Sequence, residues 1–268
     1  MPRIAANGIR IYYELHGPED AEVVVLSNGI LMSTVTWGFQ APVLARRHRV
    51  LLYDCRGMWQ SDHPAGPYSM DLHADDLVAL LDALGIERAH IAGISYGGEL
   101  SMAFALKYPA RTQSLVVSSS VSQIDPLLRA WGDSWIAAAR LRDPEMLFNV
   151  TCPLNFSEAY ITANPAALAA ARQRYGLLDM DAFLELMLAF SRLDLTPRLH
   201  SITAPTLVVV GEDDLLKPRK YSEIIAREIP GASLVTVPHA GHAVCLEQPH
   251  VFNSLLLGFL ALHAEDVV

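Results

Sequence analysis

The chain has no excess of positive charge, and this absence excludes one large class of partners. Its 268 residues include 20 lysines and arginines against 29 aspartates and glutamates, a net charge of −9 with histidine neutral. Proteins that bind nucleic acid neutralise backbone phosphates with lysine and arginine. Because the acidic residues are spread along this acidic chain, we expect no nucleic-acid partner.

Long apolar runs and paired cysteines are also lacking. The longest apolar stretch near the C-terminus, residues 255–262, is far shorter than the ~20 residues of a membrane-spanning helix. The first residues lack the apolar block of a secretory signal. The three cysteines, Cys55, Cys152 and Cys245, are widely spaced and indicate neither a disulfide framework nor a zinc site. The sequence therefore predicts a cytoplasmic protein with no membrane span and no metal or other cofactor.

The order of apolar patterns is that of an α/β protein. With 51% apolar and 18% charged residues, the chain has the composition of a domain with a large core. Asn7-Gly8 is a hairpin turn signal. Apolar runs predict strands at 9–15, 23–27, 50–53, 89–94 and 114–119, and helical patterns at 72–84 and 99–107 lie between the later ones. This alternation predicts a mostly parallel central sheet with helices on both faces.

A helical segment interrupts this pattern. Between residues 125 and 194 only helical stretches occur, and we expect the X-Pro pairs Asp143-Pro144, Cys152-Pro153 and Asn164-Pro165 to bound helices. Strand patterns return at 206–210 and 233–237, with helices near 221–228 and 247–263. We predict one core domain made of residues 1–121 and 197–268, with a helical cap, residues 122–196, inserted into it.

The most specific motif is Gly93-Ile94-Ser95-Tyr96-Gly97-Gly98, between a predicted strand and a predicted helix. A serine on such a turn has a strained backbone, and glycines two positions away on either side let the turn close. The following helix directs its free N–H groups at a developing negative charge. We interpret Ser95 as a nucleophile; the alternative is a purely structural turn.

A serine nucleophile needs a base, and the base needs an orienting acid. Both residue types follow later in the chain. Gly211-Glu-Asp-Asp214 comes after a predicted strand and offers Asp213 and Asp214, and Pro238-His-Ala-Gly-His242 comes after the next and offers His239 and His242. A metal site formed by the two histidines is disfavoured because no third ligand lies nearby in sequence.

Together these motifs resemble the α/β-hydrolase fold superfamily in its capped, single-domain form, over nearly the whole chain. The order serine, acid, histidine is that of its catalytic triad. Further matching motifs are Ser27-Asn-Gly-Ile30, Tyr53-Asp-Cys-Arg-Gly57 and Glu247-Gln-Pro249. The resemblance implies Asp214 as the acid, three residues after its glycine, and His242 as the base.

The resemblance also implies an oxyanion hole and a substrate pocket. The oxyanion would be bound by the backbone N–H groups of Ile30 and Tyr96. Asn28 stands where many relatives have histidine, and we expect its amide to hold this loop. We assign Asn28, Leu31, Met58 and Trp59 as candidate substrate-binding residues.

Two positions depart from the family pattern. Arg56-Gly-Met-Trp59 replaces a small residue with tryptophan, so Trp59 either forms a wall that contacts the acyl group or packs against the cap. Glu99 opens the helix after Ser95, where relatives often have a small or apolar residue. A carboxylate there is favourable for the helix dipole, and we expect no catalytic role for it.

The resemblance implies acyl chemistry on a small-molecule substrate. A serine at position 95 counts against the branches that use a carboxylate nucleophile. Leu81-Asp-Ala-Leu-Gly-Ile-Glu-Arg-Ala-His90 is similar to β-ketoadipate enol-lactone hydrolases, whereas Asn28-Gly-Ile-Leu-Met32 is similar to enzymes that transfer hydroxyacyl groups to make rhamnolipid precursors. We therefore predict a serine hydrolase of a carboxylic ester, lactone or thioester. The alternatives are a hydroxyacyl transferase and a non-catalytic ligand-binding protein. A homodimer is compatible with the sequence but is not indicated by it.

Overall fold

The computed structural model describes residues 2–264 of the chain. Its strands are β1 (Arg3–Ala6), β2 (Ile9–His16), β3 (Val23–Ser27), β4 (Arg49–Tyr53), β5 (Ala89–Ile94), β6 (Thr112–Ser118), β7 (Thr206–Gly211) and β8 (Ser233–Val237). They form one sheet in the order β1-β2-β4-β3-β5-β6-β7-β8. The pairs β1/β2 and β2/β4 are antiparallel, and all other neighbours are parallel. The predicted α/β fold is confirmed.

Helices connect the parallel strands. They are α1 (Ala41–Leu44), α2 (Met70–Ala83), α3 (Tyr96–Lys107), α4 (Pro126–Arg140), α5 (Pro144–Asn155), α6 (Glu158–Ala163), α7 (Pro165–Tyr175), α8 (Met180–Ser191), α9 (Arg219–Glu228), α10 (Val244–Glu247) and α11 (Pro249–Leu262). No helix within residues 2–264 has the length and apolarity needed to cross a membrane.

The core has two parts, one on each face of the sheet. Alternate residues of a strand point to opposite faces, and β3 shows this directly. Val25 belongs to the apolar cluster that contains residues of α2, α3 and α9, and Leu26 belongs to the cluster that contains residues of α1 and α11. Every residue of β3, β5, β6 and β7 is buried. Burial on both faces explains why β3 and β7 are nearly continuous apolar runs.

The helices α4 to α8 lie between β6 and β7 in the chain. The two ends of this insertion are joined by an isolated antiparallel bridge between Gln123 and Asp194. The N–H of Leu195 donates to the carbonyl of Ser122 at 2.7 Å. The segment therefore leaves the sheet and returns to it at one place.

The predicted strand and helix boundaries lie within two residues of the observed ones, except at the start of α3 and at Pro153. Helix α3 begins at Tyr96 rather than residue 99, and Pro153 lies inside α5 instead of bounding a helix. Pro153 has no N–H to donate to the carbonyl of Asn149, so the last turn of α5 lacks that helical hydrogen bond. The terminal helix α11 begins at Pro249, two residues after its predicted start, because the proline disfavours helical backbone at Gln248 before it.

Candidate active site

Ser95 occupies the turn between β5 and α3. Its φ of +56° and ψ of −120° lie outside the regions that L-residues favour, and such a backbone costs about 1–3 kcal/mol. Two contacts hold this conformation: the N–H of Ser95 donates to the carbonyl of Ser118 at 2.8 Å, and Ser120 Oγ donates to the Ser95 carbonyl at 2.9 Å. Strain held by surrounding contacts is typical of functional positions.

The glycines around Ser95 are required by close backbone packing. A Cβ on Gly93 would lie 2.2 Å from the carbonyl oxygen of Gly97. A Cβ on Gly97 would lie 2.1 Å from the carbonyl oxygen of Ser27, at the end of the adjacent strand β3. The motif therefore brings the Ser95 turn against the β3 loop.

Asp214 and His242 form a buried pair in the loops after β7 and β8. His242 Nδ1 lies 2.9 Å from Asp214 Oδ2, and the side chains are 5% and 0% exposed. Asp214 Oδ1 accepts from the N–H of Lys217 at 2.8 Å, which fixes the carboxylate from its other side. Asp213 and His239, the alternatives in sequence, are both exposed.

A buried ion pair lies next to Ser95. Lys217 Nζ donates to Ser95 Oγ at 3.1 Å and to Glu99 Oε1 at 2.5 Å. Glu99 is fully buried, and its Oε1 also accepts from the N–H of Val121. Burial raises the pKa of the Glu99 carboxyl, while the Lys217 ammonium opposes that shift. Glu99 is thus more than the helix-terminus carboxylate that the sequence predicts, because it fixes a lysine on the serine oxygen.

Two backbone N–H groups at this edge of the sheet are unengaged. Within residues 2–264, neither the Ile30 nor the Tyr96 N–H donates a hydrogen bond. The Tyr96 side chain faces away into the core, with its hydroxyl 2.8 Å from His73 Nε2. Ile30 lines the same cavities as Ser95.

Asn28 is not placed as a substrate-binding residue, which corrects that prediction. It is fully buried, and its amide donates to the Tyr53 carbonyl at 2.9 Å and to Asp54 at 3.1 Å. Its carbonyl oxygen accepts from Trp37 Nε1 at 2.8 Å. With these contacts made inside the protein, Asn28 holds the loop that carries Ile30. Burial raises the pKa of its partner Asp54 to about 6, against the hydrogen bonds from Gln60, Thr34 and Asn28.

A large cavity opens on the His242 side of Ser95. Its volume is about 380 Å³, and apolar groups of the β3 loop, α5 and α7 form most of its wall. The predicted residues Leu31 and Trp59 line it, together with Ser95 and His242. Met58 does not, because it is buried and faces a separate cavity of about 60 Å³. That placement contradicts its assignment as a wall of the substrate pocket.

Two cations of the site are absent from the sequence prediction. Arg174 of α7 lines the large cavity, with its guanidinium carbon 4.4 Å from the centre of the Trp59 ring and Nη2 donating to Ser33 at 2.7 Å. Lys217 lines a smaller cavity of about 30 Å³ on the other side of Ser95. The sequence around Lys217, Asp213-Asp-Leu-Leu-Lys-Pro-Arg-Lys220, is rich in charge and gives no local signal that this lysine is buried. Within residues 2–264, no three potential metal ligands cluster together.

The sequence is similar to a known protein family and to individual named proteins. A family model described as alpha/beta hydrolase fold matches residues 22–249. A protein of Caulobacter sp. (strain K31) named "Putative carbamate hydrolase RutD" is 34% identical over 258 residues, which cover 94% of this chain and 96% of that protein.

Solved structures show the same likeness. The enol-lactonase from Burkholderia xenovorans LB400 has a TM-score of 0.92 and 29% identity, covering 97% of this chain and 100% of that one. A thermophilic esterase from Thermogutta terrifontis has a TM-score of 0.89 and 27% identity, covering 98% and 100%. The likeness spans the sheet and the inserted helices alike.

Proposed function

The chain belongs to the α/β-hydrolase fold family, and on that premise we propose that it is a serine hydrolase of carboxylic esters, lactones or thioesters. In this proposal Ser95 is the nucleophile, His242 is the general base and then the general acid, and Asp214 orients the imidazole. The observation that carries it is the buried 2.9 Å contact between His242 and Asp214, at a cavity that Ser95 also lines.

The reaction follows from these positions. Ser95 Oγ attacks the carbonyl carbon while its proton passes to His242 Nε2, and Asp214 stabilises the imidazolium that forms. The N–H groups of Ile30 and Tyr96 donate to the oxyanion. When the tetrahedral intermediate collapses, the leaving oxygen or sulfur takes the proton from His242 and the acyl group remains on Ser95. Water then attacks the acyl carbon while His242 takes its proton, and the bond from the acyl carbon to Ser95 Oγ breaks as His242 returns that proton to the serine oxygen, which releases the acid.

Lys217 defines the resting state of the nucleophile. Its ammonium donates to Ser95 Oγ at 3.1 Å, so the serine oxygen accepts at that side and its own proton is left for His242. The described hydrogen bonds of His242 include Asp214 but not Ser95. We expect the imidazole and the hydroxyl to close on each other when substrate binds, as catalytic hydrogen bonds often tighten only then.

The names of the relatives support the carbonyl as the reacting group. One is named for carbamates, one for enol-lactones and one for esters. In all three the broken bond joins a carbonyl carbon to a heteroatom, which is the bond that a serine with an oxyanion hole cleaves. A carbamate therefore belongs in the test beside the esters.

The test follows p-nitrophenol release from acetyl, butyryl, octanoyl and dodecanoyl esters, and phenol release from phenyl carbamate. We expect Ser95→Ala to lower kcat at least about 10³-fold on the substrates that the wild type accepts. Ser254→Ala is the matched control, since Ser254 is exposed on α11. Turnover unchanged in Ser95→Ala would overturn the mechanism. Adding hydroxy acids and identifying products by mass distinguishes transfer from hydrolysis, because a transferase forms a new ester.

A further inference from the structure

The smaller cavity beside Ser95 contains more polar groups than the proposed mechanism uses. It has a volume of about 30 Å³, and Ser95, Glu99 and Lys217 line it together with Trp131 and Trp135 of α4. A cavity of that size holds about two water-sized groups. The remaining wall is apolar and includes Leu128, Met187 and Phe190.

Three polar atoms of these lining residues have no partner within residues 2–264. They are Glu99 Oε2, Trp131 Nε1 and Trp135 Nε1, and each is enclosed by the protein. Glu99 is fully buried and Trp135 is 5% exposed. An enclosed donor or acceptor without a partner is unfavourable, so such atoms are rare in native proteins unless a ligand or water meets them. The residues that carry these two donors and one acceptor all line the small cavity next to the nucleophile, and Trp135 lines the large cavity as well.

The charges of the cavity select the kind of group that fits. Lys217 and Glu99 neutralise each other through their 2.5 Å contact. An anion entering the cavity would meet the free oxygen of Glu99, and a cation would meet Lys217, whose ammonium is already directed at Glu99 and Ser95 and lies 5.0 Å from the centre of the Phe190 ring. A neutral group that accepts from an indole N–H and donates to a carboxylate oxygen satisfies both needs.

We propose that this cavity is a specificity subsite for a small neutral substituent that both donates and accepts hydrogen bonds, a hydroxyl or a primary carboxamide, near the scissile carbonyl of the substrate. The proposal rests on the proposed acyl chemistry at Ser95 and names part of its substrate. The apolar remainder of the substrate lies in the 380 Å³ cavity on the other side of Ser95. A site built to bond a hydroxyl rejects the analogue that lacks it, because its own polar groups are then left unpaired.

The test compares esters that differ only in this substituent. Ethyl 3-hydroxybutyrate against ethyl 3-methylbutyrate places the change on the acid side, and 2-hydroxypropyl butyrate against isobutyl butyrate places it on the alcohol side. Ethyl malonamate against monoethyl malonate compares a neutral amide with an anion. With acid release followed in a pH-stat, we expect kcat/KM to favour the hydroxyl at least tenfold in one of the first two pairs and the amide over the anion in the third.

Variants assign the selectivity to the cavity. Trp131→Phe and Trp135→Phe remove an N–H and keep an aromatic ring, and we expect each to reduce the hydroxyl-to-methyl ratio at least threefold. Trp131→Phe is the decisive variant, because Trp131 lines the small cavity and not the large one, whereas Trp135 lines both. Trp59→Phe is the matched control: Trp59 lines the large cavity and not the small one, so the ratio should stay as in the wild type even if all rates change.

The outcomes separate the subsite from the proposed function. If both members of each hydroxyl pair are hydrolysed with equal kcat/KM, the subsite proposal is wrong and the proposed serine hydrolase is unaffected. If the malonate anion is preferred to the amide, the proposal that the subsite binds a neutral group is wrong. If the wild type hydrolyses none of the esters, the proposed function fails for them. Saturation-transfer NMR of the same pairs with Ser95→Ala then decides the subsite, because equal Kd values overturn it and a tenfold tighter hydroxyl ester supports it.

Discussion

At the scale of single residues, the Lys217–Glu99 pair is a buried ion pair in contact with the Ser95 oxygen. A buried ion pair gains attraction in a low dielectric but loses the hydration of both charges, so its net contribution to folding is small. Removing one partner lowers the stability of the fold strongly, because the other charge is then buried without a counter-charge. The pair is therefore better explained by what it does at Ser95 than by stability: it holds an ammonium on the serine oxygen.

This account predicts an asymmetry between single and double variants. Lys217→Met should lower the free energy of unfolding by about 3–5 kcal/mol, because the fully buried Glu99 loses the ammonium that offsets its burial. Lys217→Met combined with Glu99→Gln should recover most of that loss. Urea unfolding at pH 7.5 measures both. A loss below about 1 kcal/mol in the single variant would show that Glu99 does not depend on Lys217.

At the scale of elements, the backbone at Gly97, just after Ser95, lies close to the backbone at Ser27, the end of β3. The Gly97 position has no space for a side chain, with the Ser27 carbonyl oxygen 2.1 Å from an added Cβ. Gly258 provides the opposite case, since it lies in the interior of α11 with nothing within 4 Å of an added Cβ.

The two glycines predict opposite effects of one substitution. Gly97→Ala should destabilise the fold by more than about 1–3 kcal/mol, the usual cost of overpacking, and should lower activity by moving Ser95 relative to Ile30. Gly258→Ala should stabilise the fold by about 0.5–1 kcal/mol, because alanine is the better helix former. Thermal unfolding and ester hydrolysis of both variants provide the readout. A stable, fully active Gly97→Ala would contradict the close approach.

The sequence predicts those elements whose signal is local. The strands β3 and β7 read as nearly continuous apolar runs because they are buried on both faces, and the Ser95 turn was visible because its glycines are obligatory. The start of α3 was placed too late because Gly97-Gly98 are poor helix formers. Lys217 was missed because its meaning depends on Glu99, which lies 118 positions away in sequence. The contacts of Asn28 agree with the predicted loop-holding role and not with the predicted substrate contact, and Met58 faces a separate cavity, because sequence does not show which way a loop side chain points.

At the scale of the whole molecule, buried titratable groups couple stability to pH. Burial lowers the pKa of His73 to about 3, with Arg56 adding to the shift, and lowers that of His90 to about 4, against the effect of Glu22. Histidine in the unfolded chain titrates near 6.5. Asp54 acts in the opposite sense, because burial raises its pKa to about 6.

The direction of the pH effect follows from these shifts. Below about pH 6.5 the unfolded chain binds two protons on His73 and His90 that the folded chain does not, so stability is lost as pH falls towards 4. Between about pH 6 and 4 the Asp54 carboxyl is protonated in the folded chain but ionised in the unfolded chain. This extra proton in the folded state cancels the effect of one of the two histidines on the pH dependence of stability. We expect these three groups to contribute a net loss of about 1.4 kcal/mol per pH unit in that window.

His73→Phe removes one of the two histidines and should flatten the slope between pH 6 and 4.5, whatever its cost at pH 7.5. That cost includes the hydrogen bond between His73 and the Tyr96 hydroxyl, so Tyr96→Phe is the matched control: it loses the same bond, keeps the histidine and should retain the wild-type slope. Urea unfolding at pH 7.5, 6 and 5 measures all three proteins. The change in the free energy of unfolding with pH depends on the difference in protons bound between the unfolded and folded states, and a lost hydrogen bond does not alter it. Equal slopes in wild type and His73→Phe would therefore mean that His73 is protonated in the folded protein.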